Sequence, residues 1–353
     1  VSSVAFALIV LSVLAPTPNR TTEFASTDPH IRYVGRFDFR QADGPRCSWP
    51  ASSVQVGFKG TSLKIKVKES GLDQLQIVMD GTPTTILKPS KGDGEYVVAE
   101  NLPYGVHQAT ICKRTETFVG TLQFTGFLTD GELVHPKRNK RVIEVIGDSI
   151  SCGYGNEGKN KEEHFLPDTE NAYMTYGAIA ARQFDADFVD IAWSGRKMYP
   201  DNTVPEIYDL ALPEDKESKW DLKQQIPDVI VINLATNDFG KSNPDEKLWT
   251  QAYASFIGRL RERAPKARIY CAIGPMMSDN WPPQNKALST LQRYMIDVIG
   301  LRAAVADDNI QVLEFATQDE AKEGIGSDWH PTITAHQRMA NGLINAIRRD
   351  LHW

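Results

Sequence analysis

Arg141-Val142-Ile143-Glu144-Val145-Ile146-Gly147-Asp148-Ser149 runs almost uninterrupted in Val and Ile, then stops on small and polar residues. A compact apolar run of this kind suits a strand covered on both faces of a parallel sheet. Phe188 to Ala192, Val229 to Leu234, Ile269 to Ile273 and Ile310 to Phe315 repeat the pattern. Helical stretches lie between them, clearest at Glu246 to Arg263 and Lys286 to Val305. Strands alternating with helices predict an α/β domain over residues 140–353, with a parallel sheet and helices on both faces. A last helix is expected near Thr334 to Arg349, opened by Thr334-Ala335-His336-Gln337 as a capping box.

Upstream the periodicity changes. From about Ile31 to Leu128 the chain reads as short strands separated by turns. Leu63-Lys64-Ile65-Lys66-Val67-Lys68 alternates strictly, as a strand with one wet face does. Lys59-Gly60, Asp80-Gly81 and Asp93-Gly94 supply hairpin-type turns. Strands are expected at Gln76 to Met79, Tyr96 to Ala99 and Thr121 to Leu128, and no segment has a helical period. An all-β jelly-roll sandwich over residues 30–135 follows, joined by a basic, Pro-containing linker at Gly131 to Lys140.

The first residues form a third class. Val4 to Leu14 is an almost unbroken apolar run ending at Ala15-Pro16, the pattern of a signal-peptide core and exit. Residues 1–25 are therefore expected to be the remnant of a signal peptide, and the protein secreted and extracellular. Asn19-Arg20-Thr21 is a glycosylation sequon. Length fits two domains: 353 residues. A formal net charge of −6 argues against nucleic acid as a partner. No later stretch is long and apolar enough to cross a bilayer, so no membrane partner is expected. Cys47, Cys112, Cys152 and Cys271 lack any Cys-x-x-Cys spacing and the His residues are scattered, so no metal site is expected. If a disulfide forms, Cys47 with Cys112 is the expected pair; Cys271 reads as a buried free thiol.

Ligands of open α/β sheets bind outside the carboxyl ends of the strands. The first strand ends in Gly147-Asp148-Ser149, the second in Ser194-Gly195-Arg196 and the third in Thr236-Asn237-Asp238; the loop after the last carries Asp328-Trp329-His330-Pro331. Taken singly these are ordinary: helix caps, turn residues, a loop glycine and a solvated histidine. Together they bring a hydroxyl, a flexible backbone, an amide and an imidazole to one edge.

That set resembles the SGNH hydrolases, the GDSL-type esterases, whose four defining residues match Ser149, Gly195, Asn237 and His330. The resemblance is closer still to carbohydrate esterase family 2, which joins a jelly-roll domain to an SGNH domain. Ile146-Gly147-Asp148-Ser149-Ile150-Ser151-Cys152-Gly153-Tyr154-Gly155 is its most specific stretch, and it covers nearly the whole chain after the signal region. It implies a serine esterase that removes acetyl groups from plant polysaccharide, needs no cofactor and has acetylated polysaccharide or oligosaccharide as its partner. The primary 6-hydroxyl of glucose or mannose units is the favoured position. Ser149 would be the nucleophile and His330 the base. The oxyanion would be met by the N–H groups of Ser149 and Gly195 and the side-chain amide of Asn237. Trp329 and Tyr199 would line the mouth, and the sandwich would supply no nucleophile, base or oxyanion donor. His336 is left to its helix; Trp49, Trp193, Trp220, Trp249 and Trp281 are left to packing or unassigned.

Two departures from the wider SGNH pattern matter. Ala235 stands where Gly is usual, two residues before the Asn. Ser327 stands where an Asp normally supports the His, an arrangement shared with family 2. The expectation is a Ser-His dyad with His330 held by a backbone carbonyl, while Asp328 faces the substrate and accepts sugar hydroxyls; the alternative is an Asp328 that reaches the imidazole and completes a triad. An SGNH esterase for lipid or aryl esters, and a non-catalytic carbohydrate-binding protein, are the alternative readings.

Overall fold

The computed structural model describes residues 21–353. The apolar run Val4 to Leu14, and Asn19 of the sequon, lie outside the described residues.

The first domain contains, in chain order, β1 (Thr22–Ala25), β2 (Ile31–Val34), β3 (Arg46–Cys47), β4 (Ser53–Gly60), β5 (Leu63–Glu69), β6 (Leu75–Met79), β7 (Thr82–Leu87), β8 (Gly92–Ala99), β9 (Gly105–Lys113), β10 (Leu122–Thr129) and β11 (Glu132–Val134). They form a five-stranded sheet, β1-β10-β5-β8 with β3 on β10, and a six-stranded sheet, β11-β4-β9-β6-β7 with β2 on β4. The alternation in β5 sets its faces: Leu63, Ile65 and Val67 are buried and the intervening lysines are wet. The buried set joins Ile77, Ile111, Phe124 and Phe127 in one core.

Four expectations change here. Thr22–Ala25, expected to fall within the leader remnant, pairs with β10, so the sandwich begins before residue 30. Asp93-Gly94 is no turn; it lies within β8, opposite Lys68 and Val67. The first part of the expected linker is strand β11, paired with β4. All four cysteines are free and buried; Cys47 sits in one sheet and Cys112 in the other, the latter thiol lying 3.7 Å from the Ala51 carbonyl.

The second domain follows as β12 (Arg141–Gly147), α1 (Ser149–Cys152), α2 (Tyr176–Gln183), β13 (Ala186–Ala192), α3 (Val204–Ile207), β14 (Val229–Asn233), α4 (Glu246–Arg263), β15 (Arg268–Ile273), α5 (Ala287–Ala303), β16 (Ile310–Glu314), α6 (Glu320–Glu323) and α7 (Ile333–Leu351). The sheet order is β13-β12-β14-β15-β16, with every neighbour parallel. Ile230 and Ile232 of β14 pack with Trp249, Ile257 and Leu291 of α4 and α5. Val229 and Val231 pack on the other face with Ala180 of α2 and with Leu343 and Ile347 of α7. Helix α7 opens two residues before the expected cap, because the Thr332 hydroxyl accepts the Ala335 N–H at 3.3 Å.

Strand order reverses at β12, since β13 leaves it on one side and β14 on the other. This is the switch point where a doubly wound sheet opens a crevice, and Ser149 stands two residues past the end of β12.

The sandwich is built into this domain. Trp49 is fully buried inside the α/β core and donates its indole N–H to the Leu210 carbonyl at 3.1 Å. Arg32 of β2 pairs with Asp187 of β13.

Candidate active site

Asp148 follows β12 in extended backbone and caps α1, its Oδ1 accepting the Ile150 N–H at 3.1 Å. The capping duty thus falls to Asp148 and leaves the Ser149 hydroxyl to other work. Ser149 is the first residue of α1, where a backbone N–H has no carbonyl one turn earlier to pair with. Its Oγ lies 2.8 Å from Nε2 of His330.

The other imidazole nitrogen decides the tautomer. His330 Nδ1 lies 2.9 Å from the Asp328 carbonyl oxygen and 3.2 Å from that of Ser327. A carbonyl only accepts, so Nδ1 carries the hydrogen and Nε2 offers its lone pair to the Ser149 hydroxyl. Burial pushes the imidazole pKa down to about 4, against the opposite pull of those two carbonyls. The ring is therefore neutral, and a base, at neutral pH.

The turn that aims His330 is unusual backbone. Asp328 and Trp329 both adopt left-handed conformations, φ 49° and φ 68°, each costing about 1–2 kcal/mol for an L-residue. Four backbone bonds hold it: Ser327 N–H to Gly155 O at 3.0 Å, Asp328 N–H to Glu163 O at 3.0 Å, His330 N–H to Ser327 O at 3.1 Å and Gly326 N–H to His330 O at 2.8 Å. Gly155 explains the end of the first motif: with φ +59°, a Cβ there would come within 2.7 Å of the Ser327 Cβ.

Asp328 does not reach the imidazole with its carboxylate. One oxygen accepts the Tyr154 hydroxyl at 2.8 Å and the Phe165 N–H at 2.9 Å; the other lies 2.8 Å from His164 Nδ1. Against burial, which raises it, these hydrogen bonds hold the carboxyl below its ordinary range. Both oxygens thus meet protein donors, and the carboxylate braces the turn that carries His330.

Gly195 follows β13 with φ +77°, left-handed backbone that glycine adopts without strain. Asn237 follows β14; its Nδ2 donates to the Arg196 carbonyl at 2.9 Å and lies 3.4 Å from Asp148 Oδ2. The expected oxyanion amide is thus laced to the Gly195 loop and to the residue before Ser149. Burial raises the Asp148 pKa to about 7, against the Ile150 hydrogen bond. Asp238 tightens the same loop, accepting the N–H groups of Met198 at 3.1 Å and Tyr199 at 2.9 Å and the Trp249 indole at 2.7 Å. Ala235 is buried at φ 134°, which accounts for the usual glycine at that position.

Of the two expected mouth aromatics, Trp329 is 56% exposed, with the Lys161 ammonium 4.6 Å from its ring centroid. Tyr199 is half-buried and rests against the hydrophobic cluster of the α/β core. His336 is fully buried in α7, its Nδ1 accepting the Tyr176 N–H at 3.3 Å.

Two residues escaped the sequence reading. The Tyr154 ring packs over His330 with centroids 4.3 Å apart, and its hydroxyl is the one bound to Asp328. Glu116, from the sandwich, accepts the Ser194 N–H at 2.7 Å next to Gly195. Position in the first motif offered a signal for Tyr154; nothing local signals Glu116.

Residues 33–136 match the family model for the carbohydrate esterase 2 N-terminal domain, and residues 145–338 match the GDSL-like lipase/acylhydrolase family. The chain is 37% identical to the cellulase/esterase CelE of Acetivibrio thermocellus, over 92% of this chain and 40% of that protein. It thus spans less than half the length of that relative. It is 31% identical to an acetylxylan esterase / glucomannan deacetylase of Cellvibrio japonicus, over 86% of this chain and 85% of that one. Among solved structures, a family two carbohydrate esterase from Clostridium thermocellum in complex with cellohexaose superimposes with a TM-score of 0.86 at 36% identity, covering 92% of this chain and 99% of that chain.

Proposed function

The chain belongs to carbohydrate esterase family 2, and on that premise we propose that it removes O-acetyl groups from plant polysaccharide through a Ser149 acyl-enzyme, without a cofactor. The observation that carries the reading is the relay from the Asp328 carbonyl through the His330 ring to the Ser149 hydroxyl, with contacts of 2.9 and 2.8 Å. Ser149 Oγ attacks the acetyl carbonyl while Nε2 takes its proton. The N–H groups of Ser149 and Gly195 and the amide of Asn237 meet the resulting oxyanion. Collapse breaks the bond to the sugar oxygen, which leaves with the proton held on Nε2. Water then attacks the acetyl-serine, giving its proton to Nε2; acetate departs and Ser149 recovers its hydrogen. The Asp328 carbonyl keeps Nδ1–H oriented throughout and steadies the imidazolium.

Acetylated glucomannan is the favoured substrate, with the 6-hydroxyl ester of glucose or mannose units first to go. The relatives acting on xylan and glucomannan, and the relative seen with cellohexaose, support a β-linked chain at the mouth. The exposed Trp329 ring offers a flat face for a pyranose. Following acetylated glucomannan and acetylated xylan by NMR during digestion tests this: the 6-O-acetyl signals of glucomannan are expected to vanish first. Loss of xylan esters alone would overturn the assignment. Secretion is part of the same proposal, resting on the Val4 to Leu14 run; activity confined to cells and absent from the medium would contradict it.

A further inference from the structure

The loop carrying Gly195 is held from the other domain. Glu116 lies between β9 and β10 of the sandwich and is fully buried. Its carboxylate accepts the Ser194 backbone N–H at 2.7 Å and, through the other oxygen, the Ser194 hydroxyl. Its own N–H donates at 3.0 Å to Glu170, itself fully buried. Cys152, the last residue of α1, completes the group: ligand-type atoms of Glu116, Cys152 and Glu170 all lie within 4.8 Å of one another. Glu116 therefore stands between α1, which begins at Ser149, and the loop that begins at Ser194. Both of its oxygens are taken up by Ser194, which makes it a brace.

We propose that Glu116 is a positioning residue for the oxyanion hole, supplied by the sandwich. Fixing the N–H and hydroxyl of Ser194 anchors the residue from which the Ser194–Gly195 peptide springs, and the N–H of that peptide is the donor assigned to the acyl oxygen. Gly195, at φ +77° and with open space where a Cβ would point, has no side chain to wedge that peptide; the turn is otherwise closed by the Arg196 N–H on the Trp193 carbonyl at 3.2 Å and the Asn202 amide on the Gly195 carbonyl at 3.3 Å. A donor displaced by one rotation of this peptide would fail in the transition state more than in the ground state. The sandwich is on this view a working part of the catalytic apparatus, though it contributes no reacting group. The inference rests on the Ser149 esterase reading.

Glu116→Ala, Glu116→Gln and Ser194→Ala are compared with the wild-type chain. Active sites are counted with a fluorophosphonate, and kcat per counted site is measured on an aryl acetate. Glu116→Ala is expected to lower kcat per site by roughly 10²-fold, the scale of one lost oxyanion donor, with KM within about threefold. Glu116→Gln keeps an oxygen for the Ser194 N–H and should recover most of the loss. Ser194→Ala removes only the hydroxyl contact and should cost about tenfold in kcat. A merely structural role would lower the melting temperature and the number of titratable sites while kcat per site stayed at the wild-type value; that result overturns the proposal. If Glu116→Ala does not fold, Ser194→Ala decides, and an unchanged kcat there overturns it equally. A wild-type chain without turnover would overturn the esterase reading itself, and this inference with it.

Discussion

Asp328→Asn separates a dyad from a triad. The carboxylate touches neither ring nitrogen of His330; the main-chain oxygen does, at 2.9 Å. Asn tolerates left-handed backbone at least as well as Asp, so at φ 49° the carbonyl should stay where it is. The amide oxygen can still accept from Phe165 N–H and the Tyr154 hydroxyl, and the amide nitrogen takes the place of the oxygen beside His164 Nδ1. What is lost is the charge assistance of those contacts. The site is partly open, with the Asp328 side chain 31% exposed, and screening reduces the effect to about 1 kcal/mol of stability. A melting temperature lower by about 2–4 °C is the expected signature. Turnover of an aryl acetate should remain within about tenfold of wild type, against the loss of about 10⁴ found when the acid of a serine-protease triad is made an amide. Acetylated oligosaccharide should lose no more than the aryl ester, because the carboxylate is engaged by the protein. A fall of about a thousandfold in kcat, with the melting temperature within a few degrees of wild type, would mean that the carboxylate acts on the imidazole.

Three further outcomes are expected. His330 works as a neutral base with its pKa pushed down to about 4, so activity present at neutral pH is lost only as pH falls through that value; an acidic limb of kcat/KM centred at the ordinary imidazole value would contradict the burial argument. Trp329→Ala should weaken kcat/KM on acetylated oligosaccharide far more than on an aryl acetate, and equal losses on both would reduce the ring to a support for its neighbour His330. A chain starting near Lys137 should fail to fold as a soluble monomer, since losing Trp49 alone would open a core gap worth about 3–5 kcal/mol; a soluble form with wild-type aryl acetate turnover would refute both the shared core and the Glu116 brace.

The parts of this structure that were legible beforehand are those written in local pattern. The Val/Ile runs marked every strand of the parallel sheet to within two residues at each end, since strands buried on both faces leave no polar interruption to confuse the period. Helix Glu246–Arg263 keeps the bounds expected of its helical stretch, and in the structure the Asp245 side chain caps it by accepting the Leu248 N–H. Asp93-Gly94 misled because the dipeptide signals a turn only when the flanking strands end there, and in this chain β8 continues through it. Strand β1 was missed because Thr22-Glu23-Phe24-Ala25 is short, mostly exposed and defined by its partner β10, about a hundred residues away. The same limit hid Glu116, whose meaning comes from a contact 78 residues along the chain. Asp328 illustrates the intermediate case. Its spacing from His330 departs from the ordinary triad pattern, but which donors would claim its carboxylate depended on where the loop at His164-Phe165 came to rest.

Ser149→Ala provides the most direct measurement of all. Ser149 Oγ contacts His330, and capping of α1 rests with Asp148, so the substitution removes one hydroxyl and little stability. With the melting temperature and circular dichroism of wild type retained, hydrolysis of aryl acetate and of acetylated glucomannan should both disappear. A folded Ser149→Ala protein that keeps a tenth or more of wild-type turnover would contradict acyl transfer through Ser149.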